Sequence, residues 1–293
     1  MFEPKNKTEW NVISMGFGVQ SSALALKAAH GEVTPRPDFA IFADTKAEPD
    51  EVIEWATTLQ KLINAAPYPF DVYTVTKGNL TEDQLKIRVS QGKGRKPKGE
   101  TYIKKIIPMF GITPDGVKRG AIGRSCTEDY KILPIRKMLR NKCGIKRGQK
   151  EITVTMWIGI SWDEVQRAKE SRVQWYQHRW PMLETRTSRA DCINWMYDHG
   201  YPVPPRSACF YCPFHSDTEW RRMRDNDPVH FAKAVKFDKD LRETVAKHDK
   251  FTKMTVYLHN SCKPLDEIDF DNDEDKGQQT WDFQSECEGM CGV

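Results

Sequence analysis

The stretch NVISMGFGVQSSALALKAAHG, from Asn11 to Gly31, constrains the fold more than any other in the chain. Val12 to Met15 reads as a short apolar strand, and Ser22 to His30 as a helix stopped by Gly31, with a Gly and Ser turn between them. A strand that passes directly through a glycine turn into a helix opens a βαβ unit, whose strands pair in parallel. The pattern repeats. DFAIFADT from Asp38 is a second strand, and Pro49 with Asp50 and Glu51 opens a helix running to about Ala65. FDVYTV from Phe70 and EITVTMWIGI from Glu151 are the third and fourth strands. The expected fold is therefore α/β and Rossmann-like, with a mostly parallel sheet covered by helices on both faces.

Two segments depart from that rhythm. Gln91 to Lys105, QGKGRKPKGETYIKK, is rich in Gly and Lys and reads as a mobile basic loop. After Tyr201 the chain turns to PVPPRSACFYCPFHS, and Ser216 with Glu219 forms a capping box that opens a new helix. The expected division is a domain over 1–200, a small cysteine-containing helical appendage over 201–264 and an acidic, loosely held tail over 265–293. No internal repeat is evident.

The 293 residues carry a net charge of only +4, so a nucleic-acid partner has to rest on a local patch, for which the basic loop 91–105 is the candidate. No apolar run reaches the roughly 18 residues that span a bilayer, and MFEPKNKTEW has no signal-peptide core, so a cytosolic protein without a membrane partner is expected. In that compartment the eight cysteines point to metal or redox chemistry rather than a disulfide framework.

A glycine turn at a helix N-terminus offers unpaired backbone N–H groups and the positive end of the helix dipole. Gly16 and Gly18 allow close backbone approach, and Ser14, Ser21 and Ser22 can add hydroxyl donors. The turn matches neither the Walker loop nor the three-glycine dinucleotide turn. From the residues alone, a tight turn with a good cap and a phosphate site stand level.

The segment resembles the loop of the PP-loop, or adenine-nucleotide alpha-hydrolase-like, superfamily. FGVQSS from Phe17 is similar to the variant in phosphoadenylyl-sulfate (PAPS) and adenylyl-sulfate (APS) reductases, whereas Met15 and Gln20 break the Ser-Gly-Gly-x-Asp-Ser pattern of ATP-using members. Asp44 and Thr45, followed by Glu48 and Pro49, are similar to the family's Asp-Thr with a following Pro-Glu. GRSCTEDYKILPIRKMLR, Gly123 to Arg140, resembles its Cys-Cys-x-x-x-Lys-x-x-Pro-Leu stretch, with Cys126 at the first cysteine, Thr127 at the second, then Lys131 and Pro134. WIGISWDEVQRAKES from Trp157 stands where the family has Gly-Leu-Arg-Arg, and Arg124, Arg167 and Arg172 are the candidates to replace those arginines. The resemblance implies an adenine nucleotide (APS, PAPS or ATP) held by Ser14, Gly16, Phe17, Gly18, Gln20, Ser21, Ser22, Asp44, Thr45 and Arg124, with Lys131 stabilising leaving charge.

Cys209 and Cys212 form a C-x-x-C, half of a tetrahedral metal site. With Cys126 and Cys192 they would complete four thiolates for a 4Fe-4S cluster or a structural zinc, and His215 is the less favoured fourth ligand. A packed helix residue is the competing reading of Cys192. The family resemblance favours iron, through the cysteine pair and a later C-x-x-C. The ending SECEGMCGV resembles the Glu-Cys-Gly terminus of the reductases, which makes Cys287 the expected nucleophile and a thioredoxin-like dithiol the expected reductant. The implied function is reduction of APS or PAPS to sulfite. The alternatives are ATP-dependent thiolation of DNA or RNA, or a non-catalytic nucleotide-binding accessory role of the phage, plasmid or CRISPR-associated kind.

Overall fold

The computed structural model describes Pro4 and residues 7–271. Along the chain run β1 (Trp10–Met15), α1 (Val19–Ala29), β2 (Phe39–Ala43), α2 (Asp50–Ala65), β3 (Asp71–Val75), α3 (Leu80–Leu85), β4 (Ile87–Val89), β5 (Thr101–Ile103), β6 (Met109–Ile112) and β7 (Lys118–Ile122). They are followed by α4 (Leu133–Lys142), β8 (Val154–Ile158), β9 (Tyr176–Arg179), α5 (Pro181–Glu184), α6 (Arg189–Asp198), α7 (Asp217–Asn226), α8 (Pro228–His248) and β10 (Thr255–Tyr257). The described residues divide into two compact units: those up to 77 with Thr127–Ala208, and Gly78–Cys126 with residues 209–271. Gly78–Cys126, expected in the first domain, thus folds with the later segment. No helix among the described residues is long and apolar enough to cross a membrane.

The first unit holds a five-stranded parallel sheet in the order β3-β2-β1-β8-β9. Alternation along each strand splits its core into two layers. Ile13, Met15, Ala40, Phe42 and Trp157 face the cluster built with α1, α2 and α6, while Val12, Phe39, Ile41, Ala43, Val154, Met156 and Ile158 face the one containing Ile135 and Leu139 of α4. Helices cover both faces, as the apolar strands require. Helix α1 is the most enclosed: every residue but Lys27 is buried, and Ala23, Ala25, Ala28 and Ala29 give it the slim profile that fits between α2 and α6.

In the second unit β10, β6 and β7 form an antiparallel sheet, and β4 and β5 a hairpin. Part of the stretch 91–105 is therefore a strand rather than a free loop. Thr101 pairs with Val89 and Ile103 with Ile87. Buried Gln84 accepts from the Ile106 and Ile107 amides at 2.9 and 3.0 Å and donates to the Lys104 carbonyl at 3.1 Å, which fixes the strand exit. The Ser216–Glu219 capping box opens α7. Residues 265–271, expected in the loose tail, are packed: Leu265 and Phe270 are buried, and the Leu265 amide donates to Asp238 Oδ2 at 3.2 Å.

Candidate anion-binding site

Chain order defines the site before any side chain does. The chain starts at β1, moves outward through β2 to β3, and returns to β8 on the opposite side of β1. A doubly wound sheet opens a crevice at the carboxyl ends of the two strands where its order reverses. Here those strands are β1 and β8, paired with Ser14 opposite Ile158, and their following loops are Gly16–Gly18 and Gly159–Ser161.

The turn after β1 is tightly determined. Phe17 takes φ +64°, left-handed backbone that a bulky residue adopts only when its surroundings enforce it. Its ring is held against Phe42, centroids 4.6 Å apart. Gly18 is the N-cap of α1 and brings no side-chain cap to the first turn. From the other side Gly159 touches α1 directly: a Cβ there would lie 2.9 Å from the Ser21 amide nitrogen.

The three serines separate into distinct roles. Ser22 Oγ accepts from Trp55 Nε1 at 2.9 Å, tying α1 to α2. Ser21 Oγ accepts from the Gly16 amide at 3.3 Å and donates to the Gly18 carbonyl at 3.4 Å, bracing the turn internally. Ser14, at the end of β1, is 1 % exposed and its hydroxyl has no partner. A buried hydroxyl without a partner is costly, and a ligand oxygen in the crevice would satisfy it.

Gln20 is a brace. Fully buried, it donates to Glu164 Oε2 at 3.2 Å and to Ser161 Oγ at 3.4 Å, and its Oε1 accepts from Arg189 at 2.9 Å. Arg167 in turn pairs with Glu164 at 2.5 Å, so one network joins the first turn of α1, the loop after β8 and the start of α6. Spacing in the sequence gave no sign of it, because its members lie up to 169 positions apart.

A second group sits beyond β2. Asp44 accepts from the Lys46 amide at 2.7 Å and pairs with the Lys46 ammonium. Thr45 donates to Glu48 Oε1 at 3.5 Å, and the same oxygen lies 3.8 Å from Lys131 Nζ. Lys131 occupies a π-helical turn over Thr127–Ile132 that directs Tyr130, Lys131 and Ile132 inward. Burial pushes the Glu48 carboxyl above its usual range, with the Lys131 charge opposing, and Glu48 Oε2 is buried without a partner.

Arg124 belongs to the second unit, its guanidinium 5.4 Å from the centre of the Phe214 ring. Cys126, Cys209 and Cys212 also belong there, with Cys209 and Cys212 on one turn closed by the Cys212 amide on the Cys209 carbonyl at 2.9 Å. Cys192 does not fit the expected ligand role. It is 0 % exposed in the first unit's core, among the apolar side chains packed on α1 and α6, with its thiol 3.6 Å from Met182 Sδ. Among the described residues no three His, Cys, Asp or Glu side chains group as a metal site. Cys287 lies outside the described residues. No protein-family model, curated protein or solved structure matches the chain.

Proposed function

We propose that the first unit binds an adenine nucleotide by its phosphate and that the protein reduces APS or PAPS to sulfite. The observation that carries the binding half is the buried, unpartnered Ser14 hydroxyl at the crevice between β1 and β8, next to the uncapped first turn of α1. The reductase half rests on the resemblance of FGVQSS and of the ending SECEGMCGV. In this reading the Cys287 thiolate attacks the sulfate sulfur and the bond from that sulfur to the bridging phosphate oxygen breaks. AMP, or its 3'-phosphorylated form, leaves with the electron pair, and an S-sulfonated cysteine remains. A dithiol of the thioredoxin class then supplies two electrons, releases sulfite and becomes a disulfide.

Calorimetric titration with APS, PAPS and ATP tests the binding half. Ser14→Ala removes one hydrogen bond to a charged oxygen, worth about 1.5–3 kcal/mol, and should weaken the preferred nucleotide at least about tenfold. Equal affinity in that variant, or no heat with any of the three nucleotides, refutes the assignment.

A further inference from the structure

Charge is concentrated in one part of the second unit. Gly78–Cys126 carries eleven lysines and arginines against four acidic residues, an excess of seven, whereas the whole chain carries +4. Several basic side chains of the unit's helices have acidic neighbours: Lys236 with Asp240, Lys239 with Glu243, Arg242 with Asp238, and Arg224 with Asp225 and Asp271. Lys93, Arg95 and Lys98, between β4 and β5, are exposed and make no ion pair among the described residues. The segment is folded rather than trailing. Ser90 anchors both of its ends: its amide donates to the Glu100 carbonyl at 2.8 Å, its carbonyl accepts from Gly99 at 2.9 Å, and its hydroxyl donates to the Lys96 carbonyl at 2.9 Å.

Aromatic surface adjoins these cations. The Lys96 ammonium stands 3.7 Å from the centre of the Tyr102 ring and 5.2 Å from that of Phe251, which is 38 % exposed. Lys96 is held below its ordinary pKa chiefly by burial, with the Asp249 charge opposing and the Lys105 charge adding to it. Exposed cations on a folded hairpin, with a partly exposed aromatic ring in contact with Lys96 of the same segment, match a chain of phosphates that carries stackable bases.

We propose that the β4–β5 hairpin binds single-stranded nucleic acid, with Lys93, Arg95 and Lys98 on backbone phosphates and Phe251 offering a face to a base. The proposal stands on the second unit alone and does not rest on the nucleotide site of the first.

The test is fluorescence anisotropy with a labelled single-stranded oligonucleotide, as DNA and as RNA, and with the matching duplex, titrated across salt concentrations. The wild-type chain should bind a single strand with an affinity that falls steeply with salt. The triple variant Lys93→Gln, Arg95→Gln, Lys98→Gln should lose at least about tenfold in affinity at low salt, and its log–log salt slope should flatten by about 2, from three contacts at ~0.7 each. All three side chains are exposed, so its melting temperature and its nucleotide affinity should match the wild type. Preference between the DNA and RNA strands identifies the backbone. The proposal is overturned if no strand binds at low salt, if the variant keeps both affinity and slope, if the duplex binds more tightly than either single strand, or if polyglutamate of equal charge competes equally well.

Discussion

Gly159 is where the geometry of the crevice between β1 and β8 can be tested with a single carbon atom. An added Cβ would meet the Ser21 nitrogen at 2.9 Å, the Ser21 Cα at 3.0 Å and the carbonyl carbon of Gln20 at 3.2 Å. All three are backbone atoms of the first turn of α1, so no flexible side chain can swing aside. Restoring ordinary contact separates the loop after β8 from α1 by about half an ångström or more, in a core packed as densely as an organic crystal. Overpacking of this kind costs about 1–3 kcal/mol, and in a chain of this size each kcal/mol lowers the melting temperature by about 2–4 °C. Gly159→Ala should therefore melt roughly 2–12 °C below wild type. The same displacement moves the turn 16–18 relative to Ser14, so nucleotide affinity should fall about tenfold in parallel. Gly94→Ala is the reference, since an added Cβ there has nothing within 4 Å. Differential scanning fluorimetry and calorimetry read the two effects. If Gly159→Ala melts within about a degree of Gly94→Ala and binds nucleotide equally well, the close approach of α1 to the β8 loop does not shape the crevice and the argument fails.

Cys287→Ser should abolish sulfite release and remove the S-sulfonate adduct from the intact mass after incubation with APS or PAPS, while nucleotide affinity stays near wild type; undiminished sulfite release would eliminate Cys287 as the nucleophile. Stability should also depend on His178. Its Nδ1 bonds the Lys169 carbonyl at 2.6 Å and so carries the proton, its Nε2 is buried without a partner, and burial lowers its pKa below the ordinary 6.5. The unfolded chain takes up a proton at this residue before the folded one does, so stability is complete above about pH 6.5 and is lost as pH falls toward the depressed value. His178→Gln should flatten urea midpoints measured between pH 7.5 and 5.5, and an unchanged slope would assign the dependence elsewhere.

The sequence makes the first unit legible because its central parallel strands are buried on both faces, and apolar runs such as FAIFA and VTMWI are what such strands need. The β1 turn was legible for a local reason, since two glycines bracketing one residue before a helix permit few backbone paths. The second unit was opaque for the opposite reason. Its strands β4 and β5 have three residues each, too few to show a period, and the loop between them is dominated by Gly and Lys, so the hairpin read as a basic linker. Nor could local pattern reveal that Gly78–Cys126 folds with a segment beginning at Cys209, because contacts such as Thr81 Oγ1 to the Tyr211 hydroxyl at 3.2 Å span 130 positions.

The serines and cysteines show why residue type and spacing identify a site but do not allocate its roles. Ser14, Ser21 and Ser22 are equivalent on paper, and only packing distinguishes them: the Trp55 indole claims Ser22, the Gly16 amide claims Ser21, and the Ser14 hydroxyl is left without a partner. Cys192 is the converse case. Its helix positions it against Met182 and Met196 in a dry core, where a sulfur atom acts as a small apolar group and its nucleophilicity is suppressed. The same physical criterion separates the two cases. A buried polar atom that the fold leaves unsatisfied points to something missing, and a buried sulfur that the fold has enclosed in hydrocarbon does not.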